Sequence, residues 1–213
     1  MVCLNCVPSV APRGAAFNPS WHLTAVGAVS SAVAVHAVSR RWLSFFRSRQ
    51  LDHTMNIPEH YKQLRAAVPF DSVSIGYASI DLSPVEELES AQRGYSIVPA
   101  GQTTDWRAEW LVIGSEGLCG DPIFIDTSDE SYPVYTAAHG MGEWSPQIVA
   151  SSFRHFIQIL ERLQVLARGR ATPVQMEKHP LTDSERAAFI DSIRRDSADA
   201  DVSFWELICE TDA

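Results

Sequence analysis

The sequence predicts an α+β domain: an antiparallel sheet packed by helices from both ends of the chain. Two observations carry this. Residues 110–113, 123–125 and 134–137 are short, β-rich, mostly apolar runs bounded by Gly, Asp, Ser and Pro, and their connections, 115–121 and 126–131, are too short for the helix a parallel crossover needs. The strands therefore pair as hairpins. Apolar residues at helical spacing lie before and after this middle block, so helices cover the sheet.

From Met55 each element has a local signal. Asn56 with Glu59 three residues later offers a helix cap, and Tyr61, Leu64 and Val68 recur on one face, so a first helix runs to about Val68. A fainter strand covers 73–80, where Val73, Ile75, Tyr77 and Ser79 alternate with other residues. Ser83-Pro-Val-Glu86 reads as a capping box with proline at the first helical position, opening a helix past Leu88 and Ala91 that stops near Gly94. The strands follow, with a further one at 147–149. Ser151 or Ser152 then caps a helix whose Phe153, Phe156, Ile157, Leu160 and Leu163 form one buried stripe. Thr182-Asp-Ser-Glu185 is another capping box, opening a helix through Phe189, Ile190 and Ile193, and Phe204 to Ile208 is a last short helix.

Residues 1–54 differ in composition from all that follows, and the shift falls at Met55. They read as a poorly ordered extension with one marginal helix around 23–47, and the functional chain is expected to begin at Met55. The apolar-leaning stretch 23–38 contains Ser30, Ser31 and His36 and is shorter than the roughly 20 residues of a membrane span, so no membrane association is expected unless it serves as an anchor. Its charge is also distinct. Arg13, Arg40, Arg41, Arg47 and Arg49 against Asp52 give +4, leaving -9 - 4 = -13 on residues 55–213. That acidic body repels nucleic acid and attracts basic partners.

Four cysteines are too few and too scattered for a disulfide framework. Cys119 and Cys209 fit a reducing, cytoplasmic setting. Cys3-Leu-Asn-Cys6 has CxxC spacing but no second pair to complete four zinc ligands, so neither metal nor cofactor is expected. The glycines at 114–120, like Gly140 and Gly142, precede no Lys-Ser/Thr and no helix, which makes them turn formers needing positive φ rather than a phosphate loop. Cys119 with His139 suggests a thiol nucleophile, yet Glu116, Asp121 and Glu143 nearby would raise the thiol pKa. His139, Asp126 and Glu143 lack the HxH or HExxH spacing that fixes two metal ligands locally. For binding a protein partner, Trp106 and Trp144 are candidate anchors, and Asp126, Asp129, Glu130 and Glu143 form an acidic rim.

The order Trp110-Leu-Val-Ile-Gly114, Gly120-Asp-Pro-Ile-Phe-Ile-Asp126, Pro133-Val-Tyr135 with His139-Gly140, then Ile148-Val-Ala-Ser-Ser-Phe-Arg-His-Phe156 resembles the SMI1/KNR4 family, or SUKH superfamily, over roughly residues 55–165. The resemblance implies helices packed on an antiparallel sheet and no catalytic activity. It also implies a protein partner: bacterial relatives are mostly immunity proteins that neutralise polymorphic toxins, often nucleases, and fungal relatives are scaffolds in wall signalling. The first expectation is therefore an immunity protein occluding a cationic toxin domain. A regulatory scaffold comes second and a small hydrolase built on Cys119 and His139 third.

Overall fold

A computed structural model of the protein describes residues 57–210 except 101, 103, 141 and 142, all of them in the unit that begins at Met55. Asn56, the stretch 23–38 and the Cys3/Cys6 pair lie outside the described residues.

Six strands form one sheet in chain order, and every neighbouring pair is antiparallel. They are β1 (Ser72–Ile75), β2 (Ala78–Leu82), β3 (Trp110–Glu116), β4 (Pro122–Asp126), β5 (Val134–Thr136) and β6 (Gln147–Ala150). The helices are α1 (Glu59–Ala66), α2 (Leu88–Ala91), α3 (Phe153–Leu166), α4 (Pro173–Lys178), α5 (Asp183–Asp196) and α6 (Val202–Ile208). The fold is α+β, as the short connections required.

Three elements differ from expectation. The strand expected over 73–80 is two strands, because Gly76 at φ +59° opens a two-residue turn and sets Ile75 opposite Ala78. The expected box at Ser83 does not form. Ser83 is held in extension of β2, its N–H donating to Ile113 O (2.8 Å) and its carbonyl accepting from Arg65 Nε (2.9 Å), so a 3₁₀ turn at Val85–Glu87 precedes α2 instead. Helix α4 was not anticipated, although Thr172-Pro-Val-Gln175 carries the same signal that marks α5; both boxes are fully formed. The first helix also ends at Ala66, short of Val68, and Ser152 is the residue that caps α3.

One face of the sheet, called the inner face here, presents Val73, Ile75, Ile80, Leu82, Leu111, Ile113, Ile123, Ile125 and Val134 to Tyr61 of α1, Phe153, Phe156, Leu160 and Leu163 of α3, and Trp205 of α6. The alternation along β1, β2 and β4 follows from the two-residue side-chain period of a strand. Trp205 is fully buried and donates its indole N–H to Val149 O (2.9 Å), which ties α6 to the last strand. Burial pushes the neighbouring Cys209 thiol up to about 12, with Arg186 opposing, so this thiol is unreactive at neutral pH.

Arg65 is buried at 3% exposure and donates to Ser83 O, Leu82 O and the Asp71 carboxylate, joining α1 to both ends of the first hairpin. One turn earlier, Tyr61 is fully buried against Tyr132 and Phe153, and its hydroxyl has no hydrogen-bond partner. An unpaired buried hydroxyl costs about 1–3 kcal/mol. Tyr61→Phe should therefore raise the unfolding free energy by about 1 kcal/mol in urea titration, because the ring contacts remain.

Strand β3 outruns its neighbour. β2 pairs only with Gly114, Ser115 and Glu116, leaving the first half of β3 without a strand on that side. Gln92 fills the gap. Its fully buried amide donates to Val112 O (2.8 Å) and accepts from Val112 N (3.0 Å), imitating one rung of a ladder, and donates also to Leu88 O (2.7 Å). At the following residues the register with β4 shifts, and Gly114 passes so close to β2 that a Cβ would lie 2.1 Å from Asp81 O. That glycine answers to crowding, whereas Gly120 and Gly140, at φ +77° and +76°, are the turn formers expected. Gln92→Ala should cost about 2–4 kcal/mol in the same titration, since two buried backbone groups of Val112 lose their partners.

Candidate protein-binding face

The other, outer face of the sheet is built around aromatic rings. Trp110, Val112 and Phe124 are buried there beneath Trp106, with Ala137 beside them and Tyr95, Tyr135 and Trp144 packed at the margin. Phe124 packs against Trp106 (4.7 Å between centroids), Trp110 (5.1 Å) and Tyr135 (5.7 Å, near parallel at 23°). Such offset and edge-on contacts suit the quadrupoles of the rings.

The two candidate anchors fare differently. Trp106 is 6% exposed, with its indole N–H donating to Trp110 O (2.8 Å), so this ring serves the domain's own core and is not presented to a partner as expected. Trp144 is half-buried, resting on Trp106 (5.1 Å) and Tyr95 (5.5 Å), and its backbone N–H donates to Asp105 Oδ2 (3.1 Å). One side of it is accessible.

The four expected rim carboxylates fall into two places. Asp126 ends β4 and Asp129 and Glu130 follow in the β4–β5 connection, whereas exposed Glu143 lies in the β5–β6 connection beyond the other end of β5. Three residues of strand separate these ends, about 10 Å. The first group is ordered by its serines. Asp126 Oδ1 accepts from Ser128 N (2.9 Å) and Oγ (2.6 Å), and Asp129 Oδ1 accepts from Ser131 N (2.7 Å) and Oγ (2.7 Å). Tyr132 then takes a left-handed backbone, φ +52°, with its ring buried against Tyr61, while Ser131 O accepts from Phe153 N (3.1 Å). A tyrosine in that region is strained, and burial of its ring holds it there.

Charge on this side of the sequence is one-signed. Between Arg107 and Arg154 there is no lysine or arginine, against seven carboxylates: Glu109, Glu116, Asp121, Asp126, Asp129, Glu130 and Glu143. Glu116 is buried and accepts backbone N–H groups from Leu118 (2.7 Å), Cys119 (2.8 Å) and Asp121 (2.9 Å), which shapes the β3–β4 turn and places Cys119 within it. Asp121 Oδ1 takes the backbone N–H of His139 (2.9 Å) and lies 2.6 Å from its Nδ1, binding this turn to the start of the β5–β6 connection. Among the described residues no group of three His, Cys, Asp or Glu stands together as a metal site. No described helix is long and apolar enough to cross a membrane.

Several residues of this face were not singled out from sequence. Tyr135 is half-buried; burial first, then Asp126 and Asp129, push its phenol above the usual range, with Arg107 opposing. It is therefore a neutral hydrogen-bonding group at physiological pH. Tyr95 is shifted the same way by burial and by Asp121. Arg107 lies over the Trp110 ring at 5.4 Å and pairs loosely with Glu109 (4.0 Å). Alternation along β3 to β5 could have revealed this second apolar face, but runs that are apolar on both sides hide the period.

Compared with protein-family models, curated proteins and solved structures, the chain matches none.

The serine bonds have a titration consequence. The Ser131 hydroxyl, then its N–H, hold the Asp129 carboxyl below its ordinary 3.8. A depressed carboxylate supports the fold above the unfolded value, and this support is lost as pH falls through the lower folded value. NMR titration should give Asp129 a midpoint below 3.8, and Ser131→Ala should move it up toward that value.

Proposed function

We propose that this chain is a non-catalytic protein-binding module of the SMI1/KNR4 (SUKH) type, an immunity protein that acts in the cytoplasm by covering a cationic toxin domain. The observation carrying the proposal is the run from Arg107 to Arg154, which holds no lysine or arginine and seven carboxylates, six of them outside the core once buried Glu116 is set aside. A domain that cuts nucleic acid must present cations to phosphate, and those cations are what an acidic surface can occupy.

Further support comes from placement. Gly120-Asp-Pro-Ile-Phe-Ile-Asp126 leads into and forms β4, Pro133-Val-Tyr135 enters β5, and Ala150-Ser-Ser-Phe153 spans the junction of β6 and α3, so the residues behind the resemblance occupy successive joints of one sheet. The end of β4 and the ordered loop after it supply carboxylates, Asp126 and Asp129, whose orientation is set before any partner arrives, which lowers the entropy lost on binding. Accessible Trp144 adds apolar contact area to charge.

The test begins with a tagged full-length chain used to capture its partner from native extract. Mass spectrometry identifies what is bound, and a toxin encoded beside this gene would separate immunity from regulatory scaffolding. Reversing Asp126, Asp129 and Glu130 together to lysine should then weaken binding to the purified partner at least about tenfold, or about 1.4 kcal/mol, with circular dichroism unchanged. Equal affinity would place the interface elsewhere.

A further inference from the structure

The two edges of the sheet are finished differently. Along β6, Asp201 donates its backbone N–H to Ile148 O (2.7 Å), and Ser197 Oγ accepts from Ser151 N (2.7 Å), so the C-terminal segment covers that side. β1 has no such cover among the described residues. Its tight hairpin makes Ile75 and Val73 the hydrogen-bonded positions, an alternation continued by Leu82 N to Asp71 O (2.7 Å). Ser72 and Ser74, both exposed, therefore turn their backbone N–H and C=O groups away from the sheet. Such an edge is a template for another strand.

The ends of this edge carry opposite character. Asp71, just ahead of β1, pairs with Arg65 through Oδ1 and still has a side chain 73% exposed. At the other end Gly76 N–H donates to Arg170 O (2.7 Å), which brings the segment containing Arg168 beside the turn, and Lys178 closes α4. Arg168 and Lys178 are exposed and make no ion pair among the described residues. Apolar surface accompanies this basic end: Tyr77 is 42% exposed with its hydroxyl on Glu177 (3.2 Å), and Val174, one turn before Glu177 in α4, is 59% exposed.

We propose that β1 is a self-association edge, where a second copy of this chain adds antiparallel to extend the sheet. Centring the pair on Val73 sets Ser72 of each copy opposite Ser74 of the other, which satisfies the outward backbone groups of both. The same register carries acidic Asp71 toward the Gly76 turn and the basic Arg168 segment of the second copy, and two-fold symmetry makes that contact twice. A parallel pairing would set like ends together. The net negative charge of the two bodies acts beyond the screening length of about 8 Å at physiological salt, while these contacts form within it.

Sedimentation of the full chain across micromolar concentrations tests the proposal. A monomer–dimer equilibrium is expected, and Ser74→Pro should raise its dissociation constant at least about tenfold, because proline removes the outward N–H that the ladder with β2 does not use. A wild-type chain that stays monomeric, or a Ser74→Pro dimer as tight as wild type, overturns it. If Ser74→Pro fails to fold, Val174→Glu reads the same contact on an exposed helix: weaker association supports the edge, and unchanged association rejects it.

Discussion

The backbone of β3 must be satisfied on both sides although one neighbouring strand stops halfway along it. Gln92 resolves this with a side-chain amide that presents one donor and one acceptor to Val112, as a strand would. The rest of the domain depends on that rung. With it, β3 stays extended through Trp110 and Leu111, so its inner residues reach the helices and its outer residues meet Phe124 of β4. A buried backbone group left unpaired there would favour water entry between the two apolar layers.

From this strand the two faces acquire separate roles. The inner face is closed by helices whose apolar stripes match the sheet, and Trp205 and Arg65 fasten α6 and α1 to it through hydrogen bonds to the carbonyls of Val149 and Leu82. The outer face is closed by loops, with Trp106 as the central ring. Loops can carry side chains of any character on their far side, and here that side is acidic. The binding reading draws on this division: a rigid interior positions carboxylates at the rim, and the stability of the interior does not require them to be neutralised.

How much of this was legible in the sequence depended on whether the signal was local. The boxes at Thr182–Glu185 and the stripe of α3 involve residues within a few positions, and they were legible. Ser83 shows the reverse. Its local signal favours a helix start, but Arg65 and Ile113, far away in sequence, hold its backbone extended. The Gly76 turn was hidden because Tyr77 continues the alternation in composition while its neighbour reverses the chain. Trp106, a candidate anchor by sequence, is buried for a related reason: the outer cluster around it is assembled from segments far apart in the chain. The acidic residues were all visible, but not that β5 divides them.

By itself the sequence determined the antiparallel pairing, since a chain of seven residues cannot carry a crossover helix, and it determined the sign of the charge around the sheet. Tertiary structure alone decided which rings face water, which carboxylates stand together, and that a glutamine completes β3. Connection length and charge are properties of contiguous residues, whereas burial and hydrogen-bond partnership are shared between segments that meet only after folding.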